Sequence, residues 1–224
     1  MAKILLVLTG HHWLGGTDKP TGFHVGEAAY PYKAFTAAGH TVDLVTPGSG
    51  TPQPDSLDDH DPVQREFMTL EKVRSHLAQP TRPSDVNAAD YDAIFYAGGH
   101  GAMWDFPDDA PLADLARDIY EAGGVVSAVC HGPAGLVNVT LSTGKNIVDG
   151  KQVAAFTNAE EAAVKADGIV PFALETALVD KGAKHTGADN FASHVVTDGR
   201  LVTGQNPASA DGVAHAVLGV LAQR

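Results

Sequence analysis

The 224-residue chain contains one cysteine, Cys130, and a histidine, His131, follows it directly. Before it, Gly124-Val125-Val126-Ser127-Ala128-Val129 reads as a buried strand of small and aliphatic residues. After it, Gly132-Pro133-Ala134-Gly135-Leu136 reads as the start of a helix. A strand that turns sharply into a helix at a Cys or Ser is a nucleophile elbow, which lifts the side chain above the sheet edge. Gly132, Ala134 and Gly135 suit a turn with no room for larger side chains. A helix N-terminus under the sulfur would favour thiolate, and His131 adds a proton acceptor or a cationic partner. A lone cysteine at a strand end is also a common apolar filler. The Cys-His-Gly-Pro context favours the nucleophile.

Two further groups carry chemistry. Tyr96-Ala97-Gly98-Gly99-His100-Gly101 ends another core strand, and ligands of open α/β sheets sit beyond strand C-termini. The amides of Gly99 and His131 could there form an oxyanion hole, with His100 beside them, although a Gly-rich turn alone is a weak signal. Glu27 lies among small and apolar residues in Thr21-Gly22-Phe23-His24-Val25-Gly26-Glu27-Ala28-Ala29. Most helical glutamates are solvated. These neighbours instead predict a buried carboxyl with a raised pKa, suited to proton transfer.

The elements needed to position these groups are legible as an alternation. Strands are expected over Lys3–Thr9, Thr41–Thr46, Ala93–Ala97 and Val125–Val129, with helices over Thr21–Ala38 and Pro111–Ala122. This pattern predicts an α/β fold: a doubly wound, mostly parallel sheet with helices on both faces. The Pro- and Asp-rich stretch at about 47–90 reads as an insertion in a single domain spanning 1–224. It carries one amphipathic helix, Val63–Leu77, capped by Asp61-Pro62. Ile147–Val153 and Val195–Thr203 each read as a hairpin around Asp-Gly, and Pro207–Ala222 as the last helix.

Composition narrows the function. With 27 acidic against 15 basic residues and a net charge of −12, no nucleic-acid footprint is expected. The apolar start, Ile4–Leu8, is too short for a signal sequence or a membrane span, so a cytoplasmic location is expected. One cysteine rules out an intramolecular disulfide and a Cys-rich zinc site. The 11 histidines are scattered, His11-His12 are not an i, i+4 pair, and no metal is expected.

These segments together resemble the ThiJ/PfpI superfamily of class I glutamine-amidotransferase-like proteins, in its glyoxalase III/chaperone branch. The likeness runs from Thr21-Gly22 through Glu27 and Pro31, over Asn87 to Tyr91 and Gly98-Gly99-His100-Gly101 with Asp105 and Pro107. It continues through Ala128 to Pro133, Phe156-Thr157-Asn158-Ala159-Glu160-Glu161 and Asp198 to Ser209. The resemblance implies a flavodoxin-like fold, Cys130 as nucleophile, Glu27 as acid/base and a carboxylate of the Glu160-Glu161 pair, preferably Glu161, orienting His131. Gly99, His100 and Glu160 would line the oxyanion and substrate side. It also implies a homodimer, no cofactor, and conversion of methylglyoxal to D-lactate without glutathione. Holdase chaperone, deglycase-like or other cysteine-hydrolase activity is the alternative within the superfamily. Glutaminases of that superfamily carry a late His-x-Glu pair; His185, His194 and His215 have no Glu at that spacing, so glutamine hydrolysis is not expected.

Overall fold

The computed structural model describes all residues, Met1–Arg224. Strand β1, Lys3–Val7, is buried on both sides, as its unbroken aliphatic run requires. The chain then makes a two-residue strand β2 (Phe23–His24), helix α1 (Val25–Ala37) and strand β3 (Thr41–Val45). Next come β4 (Pro54–Asp55), α2 (Pro62–Thr69), α3 (Glu71–Ala78), β5 (Ala93–Tyr96), α4 (Ala102–Asp105), α5 (Ala110–Glu121) and β6 (Val125–Val129). The last part holds β7 (Gln152–Val153), α6 (Asn158–Ala163), α7 (Leu174–Asp180), β8 (Lys184–His185), β9 (Val195–Asp198), β10 (Leu201–Gly204) and α8 (Ala210–Leu221).

The main sheet has the order β3-β1-β5-β6-β10-β9. Its first five strands are parallel, and β9 pairs antiparallel on the edge. The four expected core strands are therefore neighbours, and the expected α/β class holds. The chain leaves β1 for β3 on one side and returns to β5 on the other. A crevice consequently opens at the C-terminal ends of β1 and β5, next to the end of β6. Successive residues of each strand feed opposite faces. Leu5, Val7, Ile94, Tyr96, Val126 and Ala128 face the α5 side, whereas Ile4, Leu6, Phe95, Val125 and Val129 join the core under α1 and α8.

Several boundaries depart from expectation. The first helix starts at Val25 rather than Thr21, because Phe23–His24 pairs in parallel with Pro54–Asp55 and the His24 amide donates to the Gly98 carbonyl at 3.0 Å. The single helix expected over Val63–Leu77 is two, broken at Leu70, whose ψ of 129° is extended. Its predicted start is correct: Asp61 accepts from the Val63 amide at 2.8 Å, ahead of Pro62. No hairpin forms over Ile147–Val153; β7 pairs in parallel with the distant β8 instead. The hairpin at Asp198-Gly199 is present, as β9 and β10. No helix is long and apolar enough to cross a membrane.

Candidate active site

Cys130 directly follows β6 with φ +60°, a left-handed conformation that costs a non-glycine residue energy. The surroundings impose it. The Cys130 amide donates to the Gly204 carbonyl at 2.9 Å, and its carbonyl accepts from the Phe156 amide at 2.9 Å. The following segment, Gly132–Leu136, is a 3₁₀ turn rather than the expected α-helix. It passes so close to β5 that a Cβ at Gly132 would lie 2.3 Å from the Tyr96 carbonyl oxygen. One at Gly135 would lie 2.5 Å from the Tyr96 ring. The small residues after the cysteine are thus a packing requirement.

The sulfur is nearly enclosed, with Cys130 4% exposed. Around it are the Glu27 carboxyl, the amides of His131 and Gly99, and His131 Nδ1 at 3.4 Å. Burial pushes the thiol well up and the Glu27 carboxylate pushes it further, while the two amides pull it down. A five-residue 3₁₀ turn has little dipole, so the helix terminus expected to favour thiolate is replaced by these two individual N–H groups.

Glu27 is fully buried in the first turn of α1. Burial raises its pKa to about 8, against the opposing hydrogen bonds from Cys130 and the Gly98 amide. The Gly98 amide reaches Oε2 at 2.8 Å. Glycine at 98 is obligatory, since a Cβ there would stand 2.4 Å from that oxygen and 2.9 Å from Cys130 Cβ. Two acidic groups this close hold at least one proton between them. With the proton on Glu27, its O–H joins the amides in stabilising a thiolate.

On the other side of the sulfur, Glu161 in α6 bridges two imidazoles. His131 Nε2 lies 2.8 Å from Oε2, and His100 Nε2 2.9 Å from Oε1. Burial alone would raise Glu161, but the His100 and His131 bonds bring it down to about 2. An ionised carboxylate only accepts, so both Nε2 atoms must donate. His131, whose pKa burial lowers to about 4, then presents an unprotonated Nδ1 to the Cys130 sulfur. The rings of His100 and Phe156 clamp it, with centroids 4.2 and 4.4 Å from its own.

Cys130, His131, Glu27, Glu161, Gly99 and His100 thus converge. Glu160 does not join them. Its Oε2 accepts from the Thr157 amide (2.9 Å) and hydroxyl (3.1 Å), closing a capping box, and its Oε1 accepts from Phe191 N (2.7 Å) and Asn206 Nδ2 (2.8 Å). With both oxygens committed, Glu160 holds α6 in place and has no free acceptor for substrate. The histidines are also less scattered than their spacing implies, because Nε2 of His100 and His131 and the Glu161 carboxylate lie within 4.8 Å of one another, a grouping able to ligate a metal ion.

Three further residues, present in the quoted segments without a role of their own, contribute here. Asp105 accepts from Thr9 Oγ1 (2.8 Å), the Gly10 amide (2.7 Å) and the His11 amide (3.1 Å), tying the loop after β1 to α4. Phe156 supplies the apolar face under His131. His24 stands beside Glu27, its Nδ1 4.0 Å from Oε1. Asp105 and Phe156 lie in the segments that carry the family likeness, but no local spacing signals the contacts that these three residues make.

The chain is similar to known proteins over nearly its whole length. The pattern of the DJ-1/PfpI family matches residues 20–219. The glutathione-independent glyoxalase HSP31 of Saccharomyces cerevisiae is 37% identical over 227 residues, covering 95% of this chain and 94% of its own. The solved Rapid Encystment Protein 24 kDa of Francisella tularensis is 37% identical with a TM-score of 0.94, covering 99% of each chain. Glyoxalase III of Candida albicans superposes with a TM-score of 0.87 at 31% identity, covering 98% of this chain and 97% of that one.

Proposed function

The chain belongs to the DJ-1/PfpI family, and from that premise we propose that it is a glutathione-independent glyoxalase with Cys130 as nucleophile, converting methylglyoxal and related 2-oxoaldehydes to 2-hydroxy acids. The observation that carries this reading is the sealed contact between the Glu27 carboxyl and the Cys130 thiol, opposite an imidazole whose free nitrogen faces the same sulfur. Thiol addition alone needs only the histidine. A buried acid of raised pKa on the far side serves a reaction in which a proton must leave one carbon and return to its neighbour. The relatives named for glyoxalase activity, similar over nearly their whole length, support the same substrate class.

In this mechanism Cys130 Sγ bonds to the aldehyde carbon, and the carbonyl pair moves to oxygen, which takes the proton shared with Glu27. The Gly99 and His131 amides are the donors available to that oxygen. Glu27, now a carboxylate, removes the C1 hydrogen as a proton, the bonding pair forms C1=C2, and the C1 hydroxyl passes its proton to the adjacent ketone oxygen. Glu27 returns its proton to C2 as the C1 oxyanion forms C=O, leaving a thioester. C1 has been oxidised and C2 reduced, so no external redox partner is required. Water, deprotonated by His131 Nδ1 while Glu161 holds that imidazole at Nε2, then releases the hydroxy acid and the thiolate. The enclosed sulfur favours substrates of few atoms.

The test is lactate formation from methylglyoxal by purified protein without glutathione. Stoichiometric lactate supports the reading. Absence of lactate, with the thiol intact, overturns it.

A further inference from the structure

The mechanism above leaves two buried polar atoms unused. Glu27 Oε2 is engaged by the Gly98 amide, but Oε1 has no protein partner. His24 Nδ1 is likewise buried without one. These two atoms face each other at 4.0 Å, a gap that a modest ring rotation closes into a hydrogen bond. The arrangement is built. The His24 amide is fixed to the Gly98 carbonyl, the imidazole lies over Gly26, where a Cβ would meet Cε1 at 3.3 Å, and His24 is the extended N-cap of α1, whose first turn carries Glu27. Exposure differs across the pair: the Glu27 side chain is 0% exposed and that of His24 23%. The imidazole is therefore the group that touches both the sealed carboxyl and the outside.

We propose that His24 is a positioning residue that connects the Glu27 carboxyl to solvent, exchanging its proton during turnover. The inference rests on the glyoxalase reading. When Glu27 has taken the C1 hydrogen, its O–H donates to neutral His24 Nδ1. The imidazolium exchanges a proton at its other nitrogen, and Nδ1–H returns a solvent-derived proton to the carboxylate. Protons balance and no redox partner enters. Burial lowers the His24 pKa while it raises that of Glu27, so the imidazolium is a transient. Asp55 of β4 favours that transient, and His100 in the turn after β5 opposes it.

The experiment is turnover of methylglyoxal in D₂O, with deuterium at lactate C2 read by NMR. Wild-type lactate should carry the solvent label at C2. His24→Phe and His24→Gln should still make lactate, more slowly, with the label reduced several-fold and the aldehyde hydrogen retained. Equal labelling in wild type and in either folded variant overturns the relay while leaving the glyoxalase reading standing. No lactate from wild type overturns that reading instead. A second measurement does not depend on turnover. The His24 ring resonance should show an additional inflection as Glu27 titrates, absent in Glu27→Gln, and a single inflection in both proteins overturns the contact.

Discussion

Replacing Glu27 by glutamine should make the protein more stable while abolishing its activity. The wild-type carboxyl moves from an ordinary value of 4.5 to about 8 on folding, chiefly through burial. Between those pH values the folded protein holds a proton that the unfolded chain releases. Stability is therefore fully present below pH 4.5 and falls as pH rises, by about 1.4 kcal/mol per unit, levelling off above the folded pKa. At pH 7 the accumulated loss is about 3 kcal/mol. Glutamine has the same shape, accepts from the Gly98 amide through its oxygen, turns its NH₂ toward His24 Nδ1, and does not titrate. Wild type and Glu27→Gln should consequently be similar near pH 4.5 and diverge with rising pH. Near neutrality the variant should unfold about 6–12 °C higher. Thermal or urea unfolding at several pH values measures the divergence, and methylglyoxal turnover on the same samples should be at background. Parallel stability curves, or a variant less stable at pH 8 than wild type, would refute the claim that a desolvated, protonated carboxyl sits at this site.

Other substitutions separate the remaining parts of the site. Cys130→Ser should reduce turnover to background while stability changes by less than roughly 1.5 kcal/mol, because volume is nearly conserved and the hydroxyl stays protonated. Glu161→Gln should lower kcat by about 10²–10⁴-fold with the fold retained, since an amide oxygen accepts from only one of the two histidines and no longer fixes the His131 tautomer. Gly99→Ala should cost about 3 kcal/mol in urea unfolding, from φ +104° and a Cβ placed 2.2 Å from the Gly22 carbonyl oxygen.

What the sequence discloses here is set by how local each cause is. The elbow is legible because its glycines and the apolar strand before it are contiguous. Glu27 is legible because its sequence neighbours are also its burial. The Asp149-Gly150 turn signal misleads because it reports a turn and not a partner. The strand that follows it pairs with Lys184–His185, whose identity depends on the tertiary fold. The break at Leu70 is hidden because Phe67 and Val73, on either side of it, are both buried in the same core, so apolar periodicity continues across it. His100 and Glu161 are 61 residues apart and meet only because the end of β5 and helix α6 reach the same sheet edge, which no spacing rule encodes.

Glu160 and Glu161 are identical neighbours, yet one step of α6 sends one carboxylate into the frame of the molecule and the other to His131. The two codons should therefore behave as different genes would. In a saturation library scored separately for abundance and for turnover, changes at 160 should deplete the protein itself, because four bonds to Thr157, Phe191 and Asn206 are lost. Changes at 161 should leave more of the protein in place and remove what it does. An alignment that slips by a single column exchanges these two fates, so an inactivating variant and a merely unstable one would be recorded under each other's number.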